Sequence, residues 1–239
     1  MPLDFFITSI DTKDTRVKKS IASMTKQRGK LILIEGLDRT GKSTQCSLLA
    51  KTLNDATLIK FPDRTTGIGG LINTYLTDEA FALPDQAIHL LFSANRWEQN
   101  EMIMGRLLAG ENVVLDRYVY SGVAYSAAKS VPGMDRDWCY ACDVGLVRPD
   151  VTLFLVNHES NENREGFGEE RYEKAAFQER VRSEFHALFE SLGPRCDEVV
   201  TIDVTSRSIE QVQKQVWDAV EPVLNQSTDS SLSTLKHFA

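Results

Sequence analysis

The sequence has no apolar run near the ~20 residues that a membrane-spanning helix needs, so a bilayer-embedded helical protein is not expected. It also lacks an excess of positive charge. Its 27 Lys and Arg stand against 34 Asp and Glu, a net charge of -7 over 239 residues. A general nucleic-acid platform needs a basic surface, and that class is excluded. A small anion pocket is not excluded, because whole-chain charge does not fix the potential of one cleft. Cysteine is scarce: the four residues Cys46, Cys139, Cys142 and Cys196 are too few to staple a chain of this length. Cys139 and Cys142 form a Cys-x-x-Cys pair, but a turn at 131–135 and a helix start precede it. A redox pair needs a strand before it and a helix start that lowers a thiol pKa. A zinc site needs two more ligands, and the sequence has no second close pair. The four histidines, His89, His158, His186 and His237, form no cluster and receive no role.

Five short apolar runs are present, at 31–35, 57–61, 112–116, 151–156 and 198–203. Several are continuous rather than alternating, as strands buried on both faces of a parallel sheet are. Helical patterns lie between them: 42–54, 84–109 with Pro84 at its start and Gly110 at its end, 169–192 with Phe177, Val181, Phe185 and Phe189, and 208–223 capped by Ser208 or Ser206. Strands alternating with helices imply right-handed crossovers and an open α/β sheet with helices on both faces. The main domain is expected over 29–224. Residues 1–28 read as a disordered extension and 225–239 as a flexible tail. The polar stretch 157–168 follows a strand and reads as a mobile loop beside the ligand crevice. The charge order of the first 28 residues does not suit a secretory signal, and three Asp residues count against a mitochondrial one. A cytoplasmic location is expected, with the nucleus and mitochondrial targeting left open.

The most specific motif is Gly36-Leu37-Asp38-Arg39-Thr40-Gly41-Lys42-Ser43, a full G-x-x-x-x-G-K-[ST] match. It follows an apolar strand and opens a helix, the context that a phosphate-binding loop requires. Gly36 and Gly41 permit backbone angles that aim N–H groups at phosphate oxygens. Lys42 reaches the β- and γ-phosphates of a nucleoside triphosphate, and Ser43 ligates Mg²⁺. Arg39 is suited to bridge separating phosphates; the bland alternative is a solvated loop side chain. Asp116 ends the third apolar run, where a carboxylate orients Mg²⁺ in P-loop enzymes. Arg117 beside it would stabilise charge on a transferring phosphoryl group.

Two further groups suggest an acceptor site. Arg64 follows Phe61-Pro62-Asp63 at the end of the second run and could clamp a second phosphate. Phe92 and Arg96 lie four apart, on one helix face. An aromatic ring beside an Arg suits a flat heterocycle, although core packing with a solvated rim is the commoner meaning of such a pair.

Together these segments resemble the thymidylate kinase family, of the eukaryotic and especially fungal type, from about residue 29 to 224. The resemblance rests on 35–44 with Arg in the P-loop, Phe61-Pro62-Asp63-Arg64, Leu91-Phe92-Ser93-Ala94-Asn95-Arg96-Trp97, 116–127, Asp143-Val144-Gly145-Leu146, and Gly166-Phe167-Gly168-Glu169-Glu170-Arg171-Tyr172-Glu173. It implies a P-loop NTPase fold with a five-stranded parallel sheet and a short closing loop, ATP and Mg²⁺ as cofactors, dTMP as acceptor, and a homodimer. By the same resemblance, residues 36–44, with Leu37, Thr40 and Thr44 among them, and Arg164 of the loop hold ATP. Asp38 holds the deoxyribose 3′-hydroxyl. Arg64 and Arg117 grip the acceptor phosphate. Phe92 stacks on thymine and Arg96 hydrogen-bonds its O4. Tyr125 fills the space of a 2′-hydroxyl, Gly122 and Ser126 line the base pocket, and Tyr172 belongs to the closing segment. Relatives usually read Gln-Pro before Asp143; this chain has Ala141-Cys142. Another nucleoside monophosphate kinase, such as a UMP kinase, is the alternative. A GTPase-type switch would need an Asn-Lys-x-Asp motif, which is absent. A catalytically dead partner protein would not need the intact set of charged residues.

Overall fold

The computed structural model describes residues 27–54, 56–159, 170–226 and 235–239. Its centre is a sheet of five parallel strands, β1 (Leu31–Gly36), β2 (Thr57–Lys60), β3 (Val113–Asp116), β4 (Val151–Val156) and β5 (Val199–Asp203), in the order β2-β3-β1-β4-β5. All five apolar runs are therefore strands, within a residue of the expected bounds. The middle strands β1, β3 and β4 are buried along their whole length. Side chains alternate across the sheet, and β1 shows the result. Leu31 and Leu33 enter one core; Ile32 and Ile34 enter the other.

On the first face lie α3 (Asp85–Leu108), α4 (Val119–Ala127) and α6 (Ala175–Ser191). On the second face lie α1 (Lys42–Thr52) and α7 (Ile209–Leu224). The α7 helix starts at a capping box in which Ser208 and Gln211 bond reciprocally. Gly110, at φ 83°, lies just beyond the end of α3, where a left-handed residue stops a helix. Two helices carry no strong periodic signal. One is α2 (Gly67–Thr77), capped by Thr66, which forms a small third core with α3 through Ile72, Tyr75, Leu76 and Ile88. The other is α5 (Arg136–Ala141), capped by Asp135 after the expected turn.

Three expectations need correction. The helix expected over 169–192 starts only at Ala175. Arg171 explains the delay: its guanidinium donates to the carbonyls of Tyr75, Asp78, Glu79 and Phe81, which ties residues 170–174 to the end of α2 as a turn. The end of the chain is not a free tail. Leu235 and Phe238 are buried, and Phe238 packs against Tyr118, Tyr120 and Tyr140. Its backbone pairs with 145–146, and His237 bridges to Val147. At the other end, Arg28 belongs to the fold: its guanidinium is buried in a two-pronged pair with Asp150, at 2.6 and 2.9 Å. Residues 1–26, most of the 157–168 loop and Arg164 lie outside the described residues. Among the described residues, no helix is long and apolar enough to cross a membrane.

Candidate active site

The loop from Gly36 to Ser43 leaves the carboxyl end of β1, the central strand, and turns directly into α1. Gly36 is required by space as well as by angle. A Cβ there would lie 2.6 Å from the carbonyl oxygen of Leu155. Gly41, at φ 88°, is required by angle alone, since a Cβ would meet nothing within 4 Å. Gly41 and Arg39, at φ 65°, give the loop its left-handed turns before the helix amino end. Lys42 is buried and donates to the carbonyl of Leu37, with Thr40 Oγ1 at 3.5 Å. Burial, and then the charge of Arg117, lower its ammonium pKa to about 8.

The oxygen ligands expected for a metal meet beside this lysine. Ser43 Oγ donates to Asp116 Oδ2 at 2.5 Å, which joins the first turn of α1 to the end of β3. The second oxygen of Asp116, Oδ1, is buried without a hydrogen-bond partner among the described residues. One hydroxyl and one carboxylate with a spare oxygen suit Mg²⁺, which keeps waters and substrate phosphate among its ligands. The described residues hold no self-sufficient protein cage for a metal. Thr44 follows in α1 and is exposed.

Asp38 joins the P-loop to the acceptor side. Its Oδ1 accepts from Arg117 Nη2, and its Oδ2 accepts from Tyr125 OH at 2.9 Å and Gln178 Nε2 at 2.8 Å. Burial would raise this carboxyl; Arg117, Lys42 and the two hydrogen bonds outweigh it and hold it below the ordinary range. Arg117 also donates to Gly36 O and Ser121 Oγ, both at 3.0 Å, and lies 5.1 Å from the Tyr125 ring centre. Its φ of 68° folds the chain sharply between β3 and α4.

A cavity of about 230 Å³ opens beside these groups. Asp38, Arg64, Phe92, Arg96, Arg117, Gly122, Tyr125, Ser126 and Tyr172 all line it, so the structure brings every expected acceptor-site residue together. Arg96 is not the solvated rim that its spacing alone allowed. It is buried, with Nε and Nη2 bound to the two oxygens of Asp143 at 3.1 and 2.5 Å. Gly122 gives this guanidinium its room: a Cβ there would lie 2.7 Å from both Nη atoms. Arg64 faces Glu170 at 2.8 Å and Asn73 at 2.9 Å. Tyr172 stacks on Phe177, with ring centres 5.2 Å apart.

The P-loop side chain of Arg39 turns to the 170–174 segment, where its Nη2 lies 3.1 Å from Glu173. The Cys139 and Cys142 thiols are pushed up by burial, Cys139 to about 12, which disfavours the reactive thiolate.

Sequence spacing missed three buried polar groups that shape the site. Glu35 accepts from the backbone N–H groups of Tyr118 and Ser121 and from Ser121 Oγ, and so caps α4. Burial raises its carboxyl. Asp143 clamps Arg96 from 47 positions away. His89 lies beneath Ser126 with its Nδ1 at 2.7 Å from the hydroxyl. No local pattern marks any of these pairings. The position of Glu35 directly before the P-loop was the one available signal.

The comparisons agree with this geometry. The thymidylate kinase family model matches residues 34–216. Thymidylate kinase of Schizosaccharomyces pombe is 49% identical over 206 residues, 84% of this chain and 96% of that protein. The human thymidylate kinase is 41% identical over 217 residues, 89% of this chain and 99% of that one. A solved thymidylate kinase structure from Candida albicans is 42% identical, covers 90% of this chain and 100% of its own, and superposes with a TM-score of 0.80. A second, from Ehrlichia chaffeensis, is 22% identical with a TM-score of 0.63 and bears on the fold alone. With the P-loop, the paired cavity residues and the relatives in agreement over most of the sequence, this chain belongs to the thymidylate kinase family.

Proposed function

We propose that this chain transfers the γ-phosphoryl group of ATP to dTMP, giving dTDP and ADP. The observation that carries the reading is the junction at Asp38. One carboxylate of the P-loop bonds Arg117 and Tyr125, two residues of the acceptor cavity. The phosphate-binding loop and the nucleotide-sized cleft therefore share a wall.

The reaction needs no strong base. A phosphomonoester has a second pKa of about 6, so the acceptor oxygen is largely ionised at neutral pH. What remains is positioning and charge neutralisation. Lys42 and the loop N–H groups hold the β- and γ-phosphates. Arg117 meets the acceptor phosphate while its other edge stays on Gly36 O and Ser121. Arg39 exchanges Glu173 for phosphate oxygens as charge spreads during transfer, and Arg64 exchanges Glu170 for the acceptor phosphate. Phe92 and Arg96 receive the base, Gly122 and Ser126 line its pocket, and Tyr125 crowds the ribose. Ser43 and Asp116 would hold Mg²⁺, whose chemistry is neutralisation of phosphate charge. The loop that contains Arg164 would close over the phosphates and exclude water.

A coupled ADP-release assay across dTMP, dUMP, UMP, CMP and AMP tests the assignment. Turnover is expected to be fastest with dTMP. No turnover with dTMP, or a preference for a ribonucleotide, would sink it. Arg39→Ala should lower kcat more than it weakens ATP binding; a change confined to KM would remove its role in transfer.

We further infer a homodimer. Leu90 and Trp97, seven apart on α3, are 48% and 39% exposed, and Val144, the residue before Gly145 against the Trp97 ring, is 46% exposed. Such an apolar face suits a second copy of the same helix. Sedimentation should give twice the chain mass, and Trp97→Glu should give the single chain.

A further inference from the structure

Ser126 lines the acceptor cavity, and the hydrogen-bond partner of its hydroxyl is Nδ1 of His89 at 2.7 Å. On the other side of the ring, His89 Nε2 lies 2.9 Å from the carbonyl oxygen of Cys139. A carbonyl oxygen can only accept, so Nε2 carries the ring proton. Cys142 Sγ, 3.2 Å from the same nitrogen, leaves this unchanged. Its thiol proton has the Cys139 carbonyl to donate to, at 3.5 Å. The ring is wholly buried, close to the charge of Arg96. Burial first, and then that charge, lower the imidazole to about 4, so a second ring proton is absent at neutral pH. Nδ1 is then a bare lone pair, and the Ser126 hydroxyl proton points at it.

We propose that His89 is a positioning residue that sets base specificity: by taking the Ser126 proton it leaves that hydroxyl as an acceptor only, so the cavity selects a base edge with an imide N–H. This rests on the dTMP reading of the same cavity. A hydroxyl free to rotate would serve a donor or an acceptor equally. Arg96 supplies the complementary half. Asp143 takes its Nε and Nη2, which leaves the donors of Nη1 for the ligand. The pocket then offers one donor and one acceptor. Thymine and uracil present O4 as acceptor beside N3–H as donor, whereas cytosine reverses both. The arrangement rejects cytosine and is indifferent to the 5-methyl group.

Two measurements test this. In ligand-free full-length protein with ¹⁵N-labelled histidine, proton–nitrogen correlation at neutral pH should show a His89 ring with protonated Nε2 and bare Nδ1. The ring is identified by its shift on Ser126→Ala. A protonated Nδ1 overturns the proposal. Kinetics are then compared for dTMP, dUMP and dCMP in the wild type, Ser126→Ala and His89→Leu. In each variant kcat/KM for dTMP and dUMP should fall together, by about 10–100-fold, as loss of one buried hydrogen bond does. The dCMP value should not fall, the KM for ATP should stay constant, and the double variant should lose no more than either single one. Equal losses on all three substrates would mark damaged packing and overturn the proposal. Ser126→Ala removes one oxygen and carries the kinetic test if His89→Leu does not fold. A wild type that fails to use dTMP overturns the functional reading instead, and the ring tautomer still decides the role of His89.

Discussion

Arg96–Asp143 and Arg64–Glu170 have the same chemistry and line the same cavity, but they differ in their access to water. The first pair has side chains 3% and 0% exposed; the second has 36% and 33%. A buried pair is fixed as the chain folds, because breaking it strands a charge without solvent. An exposed pair holds its partners weakly and can trade one for a ligand. The Arg96 end of the cavity is thus fixed as the chain folds, while Arg64 stays on an exchangeable carboxylate. On the proposed function, recognition of the base would rely on rigidity, and capture of phosphate by Arg64 on a replaceable contact.

The sharpest way to break this contrast is Asp143→Ala. It should lower unfolding stability by about 3–5 kcal/mol, measured by denaturant titration; a loss under about 1 kcal/mol would make the two pairs alike. Lys42 sharpens the contrast from the other side, since it is buried yet no carboxylate among the described residues pairs with it. Its ammonium pKa falls from 10.5 to about 8 on folding. Below pH 8 it is charged in both states and burial opposes folding; between 8 and 10.5 only the unfolded chain holds the extra proton, so stability rises with pH. Lys42→Met should therefore be inactive yet more stable than wild type at pH 7, by roughly 3 kcal/mol, with the gap closing as pH rises to 10.5. Arg96→Ala should raise the KM for dTMP about 10–100-fold and spare ATP. The smallest effect is expected for Arg64 and Glu170. A double-mutant cycle on stability should give a coupling of about 1 kcal/mol or less; a larger value would show that the exposed pair is structural.

Much of the architecture was legible because its signals are local. The runs from 31 to 35 and from 151 to 156 are continuous and apolar, and both are fully buried strands. Gly36 to Ser43 announces its loop because two glycines, a lysine and a serine must stand at fixed offsets. The later start of α6 was not legible, since the carbonyls that hold Arg171 belong to residues 75–81. Phe238 was hidden for the same reason: its Ser/Thr-rich approach reads as frayed, and its aromatic partners are about a hundred positions away. Within the site, Phe92 and Arg96 could be found by helical spacing, but Asp143 and His89 act through partners on other elements. Spacing can propose which side chains share a face. It cannot name the buried group that fixes one of them.

Glu35 is a second link, beside Asp38, between the P-loop and the acceptor cavity. It is the residue before the P-loop, and it holds the amino end of the helix that bears Gly122, Tyr125 and Ser126. The distance from the P-loop to this helix is thereby held by a side chain of the central strand itself. Such a ruler is built from a strand and a helix of the core rather than from a surface loop. On the proposed function it would keep the two nucleotides in register.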